Sequence, residues 1–460
     1  MHDFATLKRR VEEDGIDSID FRVADLVGRF RHLTIPATRF VESVLAEGVG
    51  FDGSNYGYCR VSGSDMVLIP DLSTAYVEER NGERILAFVS DICDAKSGNA
   101  ATIDPRGTTA AAVEYLKELG IADGVLVSPE FEFYVFDEVL FDSDAGRNCV
   151  EISPAEGCAH AALRGLTGSA RSAYHAPLPE DRLFALRCEV VRQIESVGIP
   201  VRYHHHEVGP FGQQEIELGF AGLTRMADAV LIVKSLVHNV SSEQGLTATF
   251  LPKPMYGQAG SGMHLHQYLV QGGANLFHAE GGLSELALCY IGGLLTHGGS
   301  LAALTNPTTN SYRRLVPGYE APVSFVFGAS NRTAAIRVPA YAHGDETRIE
   351  LRTMDATCNP YIAFAAILMA GIDGIQRGSD AREMGFGPIE GNVHETNVGR
   401  PAPSDLGGAL DALEADRDYL LAGGVFTEQT LDHWVRTKRK EVATIAARPH
   451  PHEFTMYYDL

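Results

Sequence analysis

The most informative residues that could do chemistry in this chain are two glutamates on one predicted strand, Glu130 and Glu132. The run 128–133 predicts a β-strand, and side chains two residues apart on a strand share one face. Two carboxylates side by side on a core-facing strand repel each other and cost free energy to desolvate. We therefore expect a cation beside them, most economically a divalent metal, although a solvated acidic edge on a surface strand would show the same pattern.

A second acidic pair flanks a predicted turn between two strands. Glu207 precedes the Gly/Pro-rich turn and Glu215 follows it, so a hairpin would bring the two carboxylates near each other. The three histidines at 204–206 suggest zinc, but adjacent strand residues point to opposite faces, so all three cannot bind one ion. Each of them is interpreted first as a packed or hydrogen-bonded imidazole.

Imidazole and guanidinium groups follow further along the chain. In the glycine-rich run 257–266, His264 and His266 share a strand face, and the glycines allow close backbone approach to a ligand. The spacing matches neither G-x-G-x-x-G nor a phosphate-binding P-loop.

Glu350 shares a strand face with Arg352. Guanidinium groups that could bind a polyphosphate in bidentate fashion fall within 21 residues, at Arg332, Arg337, Arg348 and Arg352.

Together these residues offer four or five carboxylates and one or two imidazoles. Oxygen-rich sites of this kind favour Mg²⁺ or Mn²⁺ over zinc. With arginines nearby, the composition predicts a metal-dependent site for nucleotide phosphates, in which positioning and charge neutralisation carry catalysis. The segment 306–322 lacks periodicity, yet its Tyr, Leu and Val content argues against disorder, so we expect a functional loop. These residues alone predict ATP-dependent transfer or ligation.

Length and composition limit the class of protein. The 460 residues suffice for two or three domains, and the net charge of −22 argues against non-specific binding to nucleic acid or anionic membranes. Seven scattered cysteines without a C-x-x-C pair argue against the usual zinc spacings and a disulfide framework. No signal peptide is predicted, and the longest apolar stretch, 361–375, is too short and glycine-interrupted to span a bilayer. We expect a cytoplasmic protein.

The elements that must position these residues predict an α+β fold with two domains. Residues 1–100 read as a small mixed unit, and a polar linker at 94–107 leads into a large domain, 101–460. Most strands of the large domain are not separated by single helices, so its sheet is expected to be mostly antiparallel. Helices are predicted at 4–14, 38–45, 108–119, 181–197, 223–244, 283–299 and 360–375. Strands are predicted at 18–23, 29–35, 66–69, 85–89, 124–136, 200–207, 214–218, 247–251, 262–270, 334–338 and 347–353.

In their order and spacing these motifs resemble type I glutamine synthetases, and the resemblance runs nearly end to end. Any one of the motifs is weak evidence, but their shared order is highly specific. The matching segments are FDGS at 51–54, SDM at 64–66, PEFE at 129–132, HHE at 205–207, GSGMH at 260–264, the loop 306–322, NR at 331–332, IELR at 349–352, NP at 359–360 and HPHEF at 450–454.

The resemblance implies a small N-terminal β-grasp domain and a large catalytic domain with a mostly antiparallel, curved sheet flanked by helices. It also implies a homododecamer of two hexameric rings, with each active site between neighbouring subunits. The implied reaction ligates ammonia to the γ-carboxylate of L-glutamate through γ-glutamyl phosphate. Its substrates would be ATP, L-glutamate and ammonium, and two or more Mg²⁺ or Mn²⁺ ions would be bound per site.

Each matching residue then takes an expected role. One metal would be held by Glu132, Glu207 and Glu215, and the second by Glu130, His264 and Glu350. The transferred phosphoryl group would meet Arg332, and the nucleotide would be bound by Phe220, His266, Arg337 and Arg348. Glutamate would be bound by Gly260, His264, Arg314 and Arg352. Glu320 would lie on a flap that shields the intermediate, and Asp52 of the adjacent subunit would deprotonate ammonium.

Several positions depart from the family pattern. Asn55 stands where a second serine is usual beside the ammonium site, and Ala259 replaces an asparagine that would contact glutamate. These two changes leave open a γ-glutamyl–amine ligase that uses a small amine or polyamine in place of ammonia. Further replacements near the phosphates are Ser330 and Asp345. The segment 391–395 lacks the tyrosine that is adenylylated in some members, so we expect no such regulation.

A third interpretation is a catalytically inactive oligomeric scaffold or nitrogen sensor. It predicts the loss of at least one metal ligand or of Arg332, and all of these residues are present. The leading hypothesis is therefore an ATP-dependent glutamate–ammonia ligase.

Overall fold

A computed structural model describes residues 3–57, 64–156, 173–396 and 398–460 of the chain. Cys59 and Cys158 lie outside the described residues, and the five described cysteines are free thiols. The N-terminal helices are α1 (Phe4–Glu13) and α2 (Glu42–Glu47). The N-terminal strands are β1 (Ser18–Ala24), β2 (Phe30–Pro36), β3 (Val49–Asp52), β4 (Asp65–Pro70), β5 (Tyr76–Arg80) and β6 (Glu83–Asp94).

The N-terminal strands form one six-stranded sheet in the order β2-β1-β6-β4-β3, with β5 paired to β6. β1 and β6 run parallel, and the other pairs run antiparallel. Alternating apolar residues of β1, such as Phe21, are buried in the same hydrophobic core as Leu7 and Val11 of α1. The predicted helix at 38–45 is wrong at its start, because buried Phe40 and extended Val41 separate a 3-10 turn (Ala37–Arg39) from α2.

The part of the chain that follows β6 contains the larger set of strands. They are β7 (Gly124–Asp144), β8 (Arg147–Pro154), β9 (Val201–His206), β10 (Gln213–Leu218), β11 (Ala221–Gly222), β12 (Thr247–Thr249), β13 (Met263–Gln271), β14 (Ala274–Asn275), β15 (His278–Ala279), β16 (Gly282–Leu283), β17 (Ser324–Phe325), β18 (Phe327–Ala329), β19 (Ile336–Val338), β20 (Ile349–Leu351) and β21 (Arg400–Pro401). Eleven of these described strands form one sheet around β7. Seven of them follow the order β18-β19-β20-β13-β7-β10-β9, while β8, β11 and β12 pair with β7 and β14 pairs with β13. Within it only β18 and β19 pair in parallel, so the predicted α+β class and mostly antiparallel sheet are confirmed.

Helices pack against this sheet and against each other. They are α3 (Pro105–Glu118), α4 (Phe184–Ser196), α5 (Leu223–Glu243), α6 (Glu285–Thr296), α7 (Gly298–Thr305), α8 (Ser311–Arg314), α9 (Pro360–Arg377), α10 (Val393–Thr396), α11 (Leu406–Ala415), α12 (Asp418–Leu421), α13 (Glu428–Ala446) and α14 (Pro451–Tyr457). α9 is almost entirely buried, and the Asn359 side chain caps its first turn by accepting from Tyr361 N at 3.1 Å.

The predicted helix at 283–299 is two helices. The chain bends by 73° between α6 and α7, at His297. The two ring nitrogens of His297 are hydrogen-bonded to carboxylate oxygens, Nε2 to Asp373 at 2.9 Å and Nδ1 to Asp416 at 2.9 Å, so tertiary contacts fix the bend. Within the described ranges no single helix is long and apolar enough to cross a membrane, and only this bent pair passes that test together.

Candidate active site

The register of four strands brings the predicted acidic and imidazole residues onto one face of the large sheet. On β7, Glu130 lies opposite His264 of β13, and Glu132 lies opposite Glu215 of β10. His266 of β13 in turn lies opposite Glu350 of β20. Because alternate residues of each strand share a face, this register collects the side chains into one cluster.

The first group of possible metal ligands contains Glu130, His264 and Glu350, whose ligand atoms lie within 4.8 Å of one another. His264 Nδ1 lies 3.0 Å from Glu130 Oε2 and 3.6 Å from Glu350 Oε1. Burial would raise the pKa of Glu130, but the neighbouring His266 and His264 hold it well below its usual range. Burial opposes ionisation of Glu350 too, yet Arg352 lowers the pKa of Glu350 to about 2.

The second group contains His205, Glu207 and Glu215. Burial, followed by repulsion between the two carboxylates and from Glu132, raises the pKa of Glu207 well above its usual range. Burial and the charges of Glu130 and Glu132 do the same to Glu215. Glu207 Oε2 is buried without a hydrogen-bond partner among the described residues. A group of carboxylates that raise each other's pKa values fits a bound cation better than a packed core.

The second group differs from the expected ligand set in one residue. Glu132 lies outside it, because Glu132 Oε2 accepts a hydrogen bond from Gly262 N at 2.8 Å and Glu132 Oε1 lies 3.6 Å from His264 Nε2. The three consecutive histidines separate as predicted. His205 joins the carboxylates, His204 Nδ1 accepts from Arg187 Nε at 3.0 Å, and His206 pairs with Glu156 at 2.8 Å.

Glu217 forms a third group with Glu130 and His266 and was missed by the sequence reasoning. It is fully buried, its Oε1 pairs with Arg202, and its Oε2 has no partner in the described chain. The signal that could have found it is its position two residues after Glu215, on the same face of β10. Assigning it from sequence would have required the register that sets Glu217 opposite Glu130.

Arginines border the other side of the cluster. Arg337 Nη1 donates to Glu350 at 2.5 Å, while Arg337 Nε is buried without a hydrogen-bond partner in the described residues. Arg348 is 2% exposed, and its Nε and Nη2 likewise have no partner there. Buried N–H groups of a guanidinium are costly when unpaired, so both side chains suit an anionic ligand.

Arg314 is held by backbone carbonyls. Its Nη1 donates to Thr353 O at 3.0 Å, its Nη2 donates to Arg352 O at 3.0 Å, and its Nη2 lies 3.3 Å from His264 Nε2. A Cβ on Gly260 would lie 2.7 Å from Arg314 Cγ, so only glycine lets this side chain pass.

A cavity of about 750 Å³ opens over this face of the sheet. The predicted residues that line it are Glu130, Glu132, Glu207, Glu215, Gly260, His264, Arg314, Glu320, Arg332, Arg337 and Arg352. His266 and Glu350 are fully buried beside these residues without lining the cavity. Phe220 and Arg348 lie next to each other outside the lining, with the guanidinium 5.9 Å from the ring centre.

Family models decide the relationship. The model described as glutamine synthetase, catalytic domain, matches residues 102–457, and the model described as glutamine synthetase, β-grasp domain, matches residues 15–95. The chain belongs to the glutamine synthetase family. The glutamine synthetase of Streptomyces filamentosus is 42% identical over 470 residues, which cover 99% of this chain and 98% of that protein.

Solved structures agree with this family membership. A cryo-EM structure of Plasmodium falciparum glutamine synthetase has 25% sequence identity and a TM-score of 0.90, and the match covers 100% of this chain and 99% of that chain. A structure of a GmaS–ADP complex has 27% identity and a TM-score of 0.82, with 100% of both chains covered. The predicted family is therefore confirmed over both domains.

In this glutamine synthetase family member, Asp52 lies away from the cavity, at the end of β3. Its Oδ1 accepts from Ser54 N at 2.9 Å and Ser54 Oγ at 2.7 Å, and its Oδ2 accepts from Asn55 Nδ2 at 2.8 Å. Hydrogen bonds from Ser54, and then Ser64, lower the pKa of Asp52, so the carboxylate is ionised at neutral pH.

The predicted loop 306–322 contains the short helix α8 and then a strained segment. Tyr319 and Glu320 have φ values of 50° and 57°, in the left-handed region. The Tyr319 hydroxyl donates to Gly257 O, and Lys253 Nζ lies 5.0 Å from the Tyr319 ring centre. These contacts fix Tyr319 next to Glu320, and both residues line the cavity.

Several cavity-lining residues were not assigned to the site from the sequence. Tyr174, His175 and His205 stack or meet edge to face, with the first two ring centres 4.0 Å apart. The remaining lining residues to which no role was assigned are Tyr203, His204, Val208, Tyr319 and Tyr341, and Ala259, which was expected near glutamate, also lines the cavity. All of them lie in loops, or at strand positions where the register decides whether the side chain reaches the cavity.

Proposed function

We propose that this chain ligates ammonia to the γ-carboxylate of L-glutamate at the expense of ATP, through γ-glutamyl phosphate. Family membership makes the chain an ATP-dependent ligase that requires divalent metal. The observation that carries the proposal is the juxtaposition, on one sheet face, of mutually repelling carboxylates and buried guanidinium groups with unpaired N–H donors. Such a face suits metal ions on one side and phosphates on the other.

The donor set fits Mg²⁺ or Mn²⁺. Glu130, His264 and Glu350 would hold one ion, and Glu207 with Glu215 would hold another, with His205 or Glu132 as the further ligand. Ions bound there would neutralise the triphosphate and orient it toward the substrate carboxylate. The unpaired Oε2 of Glu207 and the raised pKa values of this pair support that assignment, because a cation would relieve both.

The remaining residues divide between nucleotide and glutamate. Arg332, Arg337 and Arg348 would neutralise the phosphates, so that the anionic glutamate can attack the γ-phosphorus. Phe220 and His266 would complete the nucleotide site. Gly260, Arg314, Arg352 and His264 would bind glutamate, with Arg314 fixed in place by its carbonyl partners. Glu320 would close over the acyl phosphate and exclude water.

Asp52 would act in a neighbouring subunit. An ionised, exposed carboxylate attracts ammonium and then accepts its proton, which leaves ammonia as the nucleophile. Because Asp52 does not line the cavity of its own chain, this role requires an oligomer. Exposed apolar residues on the β7–β8 hairpin and on α14 support one, namely Leu140, Phe141, Val150, Phe454, Met456 and Tyr457. The dodecamer, the domain division at 100/101 and the cytoplasmic location stay predictions.

Product analysis tests the proposal. The purified protein is supplied with ATP, Mg²⁺ or Mn²⁺, L-glutamate and, in separate reactions, ammonium, methylamine, ethanolamine or putrescine. Glutamine formed with ammonium supports the proposal, and its absence refutes it. A larger amine as the better acceptor would support the alternative γ-glutamyl–amine ligase, which the curated relatives do not favour.

A further inference from the structure

Tyr341 lies between two arginines at the edge of the cavity. The guanidinium carbon of Arg348 lies 5.3 Å from the centre of the Tyr341 ring, and that of Arg337 lies 5.7 Å from it. Both distances fall within the range in which a cation is attracted to an aromatic face. Tyr341 is 55% exposed and lines the cavity, so its ring contacts solvent as well as the two guanidinium groups.

The two arginines are only partly satisfied by the protein. Arg348 Nη1 donates to Glu346 O at 3.1 Å, and Arg337 Nη1 donates to Glu350, but Arg348 Nε, Arg348 Nη2 and Arg337 Nε have no partner in the described chain. Like charges side by side repel, and unpaired buried donors cost free energy. Contact with one ring offsets part of this cost and keeps both guanidinium groups near each other.

The backbone that carries Tyr341 is fixed independently of its ring. Ala342 N donates to Pro339 O at 3.2 Å, and the Asn275 side chain donates to Asp345 O at 2.9 Å and to Thr347 O at 2.7 Å. The segment between β19 and β20 is thereby attached to β14. Loss of the exposed ring should therefore leave the fold of this segment unchanged.

We propose that Tyr341 is a positioning residue for the nucleotide phosphates. It acts through Arg337 and Arg348. The ring keeps the two guanidinium groups close to each other, so that the unpaired N–H donors of both can bind the same polyphosphate. Without the ring, Arg337 would be held only by its contact with Glu350, and Arg348 only by its contact with the Glu346 carbonyl, so each guanidinium would be free to turn its unpaired N–H groups away from the cavity. Ordering both side chains would then cost free energy at the moment of binding.

Tyr341→Ala and Tyr341→Phe test this inference, which rests on the proposed ATP-dependent function. Tyr341→Ala should raise the KM for ATP by about tenfold, equivalent to about 1.4 kcal/mol, and leave the KM for glutamate and kcat nearly unchanged. Tyr341→Phe keeps the ring and should restore the wild-type KM for ATP. An unchanged unfolding midpoint of both variants would exclude a general loss of structure.

Calorimetric binding of Mg-ADP and of inorganic tripolyphosphate locates the effect. If the ring serves the arginines, Tyr341→Ala weakens both ligands by a similar factor. A variant that loses affinity for ADP but not for tripolyphosphate would show that the ring stacks on the base instead, and would overturn the inference. Wild-type affinity of Tyr341→Ala for both ligands would overturn it too. Wild-type protein that binds these ligands but makes no glutamine would refute the proposed function and leave this inference standing.

Discussion

Glu215→Gln should stabilise the metal-free protein while weakening its response to divalent ions. Glu215 is 8% exposed, and burial together with the charges of Glu130 and Glu132 raises its pKa. The amide has nearly the same shape as the carboxylate and carries no charge. The substitution therefore removes repulsion within the cluster and removes a proposed metal ligand in the same step.

The structure sets the size of the effect. The ligand atoms of Glu207 and Glu215 lie within 4.8 Å of each other. Two unit charges at that distance repel by about 3.5 kcal/mol at an effective dielectric constant of about 20. Because the raised pKa values of Glu207 and Glu215 mean that the folded protein relieves part of this repulsion by binding protons, the substitution recovers only part of it, and we expect about 1–2 kcal/mol in the free energy of unfolding.

The sign of the pH dependence follows from the same shift. A folded-state pKa of Glu215 above its ordinary value of 4.5 means that the folded protein binds a proton more tightly than the unfolded chain. Metal-free stability should therefore fall as the pH rises from about 4.5 through the raised value. Glu215→Gln should reduce that fall.

Urea unfolding with EDTA and with saturating Mn²⁺ measures both parts of the prediction. In EDTA the variant should unfold at a higher urea concentration than wild type. In Mn²⁺ the order should reverse, because an ion that binds only the folded state adds about 2.7 kcal/mol at 100 times its Kd. Glu138→Gln, at an exposed position of β7, is the matched control and should change neither result.

Two outcomes would refute the reasoning. A Glu215→Gln variant less stable than wild type in EDTA would mean that the carboxylate makes a net favourable contact in the metal-free protein. An undiminished stabilisation by Mn²⁺ would mean that Glu215 is not a ligand.

Three further predictions follow from the same structure. Glu130→Ala and Glu132→Ala should each abolish glutamine formation while light scattering shows an intact oligomer; dissociation instead would assign them a structural role. Asp52→Asn should lower ligation by at least about 100-fold with unchanged ADP affinity, and retained activity would contradict its role as base. Burial lowers the pKa of His297, but hydrogen bonds to Asp416 and then Asp373 outweigh burial and raise it. The contribution of protonated His297 to the free energy of unfolding is therefore complete below the ordinary pKa of 6.5 and is lost as the pH rises through the raised pKa. His297→Gln should flatten that part of a plot of urea midpoint against pH, and an unchanged slope would contradict the assignment.

Alternation along single strands was enough to predict much of the site. Glu130 with Glu132, His264 with His266, and Glu350 with Arg352 each share a face because they lie two residues apart, whatever their neighbours are. Which residues meet across strands depends on register, and register is set by pairing of distant segments. For that reason Glu217 and His205 were not predicted, although both have the right chemistry.

The predicted helix boundaries are wrong where tertiary contacts override the local preference of the sequence for helix. His297 breaks the predicted helix 283–299 because two aspartates, from α9 and from the residue after α11, bind its ring. The strand β5 was missed because its charged residues hide the alternation, and the buried Glu78 is paired with Arg22, which is distant in the sequence. In both cases the decisive partner lies far away in the sequence.

The strand order explains why negative and positive groups separate across the cavity. Glu215 lies on β10, and Glu207 directly follows β9. Both strands lie on the same side of β7, so negative charge accumulates there. β19 and β20 lie on the other side and bring Arg337 and Arg352, which pair with Glu350 between the two halves. A cation is therefore favoured beside β10 and an anion beside β19, across a few strand spacings of about 4.8 Å each. A reaction that transfers a phosphoryl group from an anionic nucleotide to a carboxylate needs these two environments next to each other.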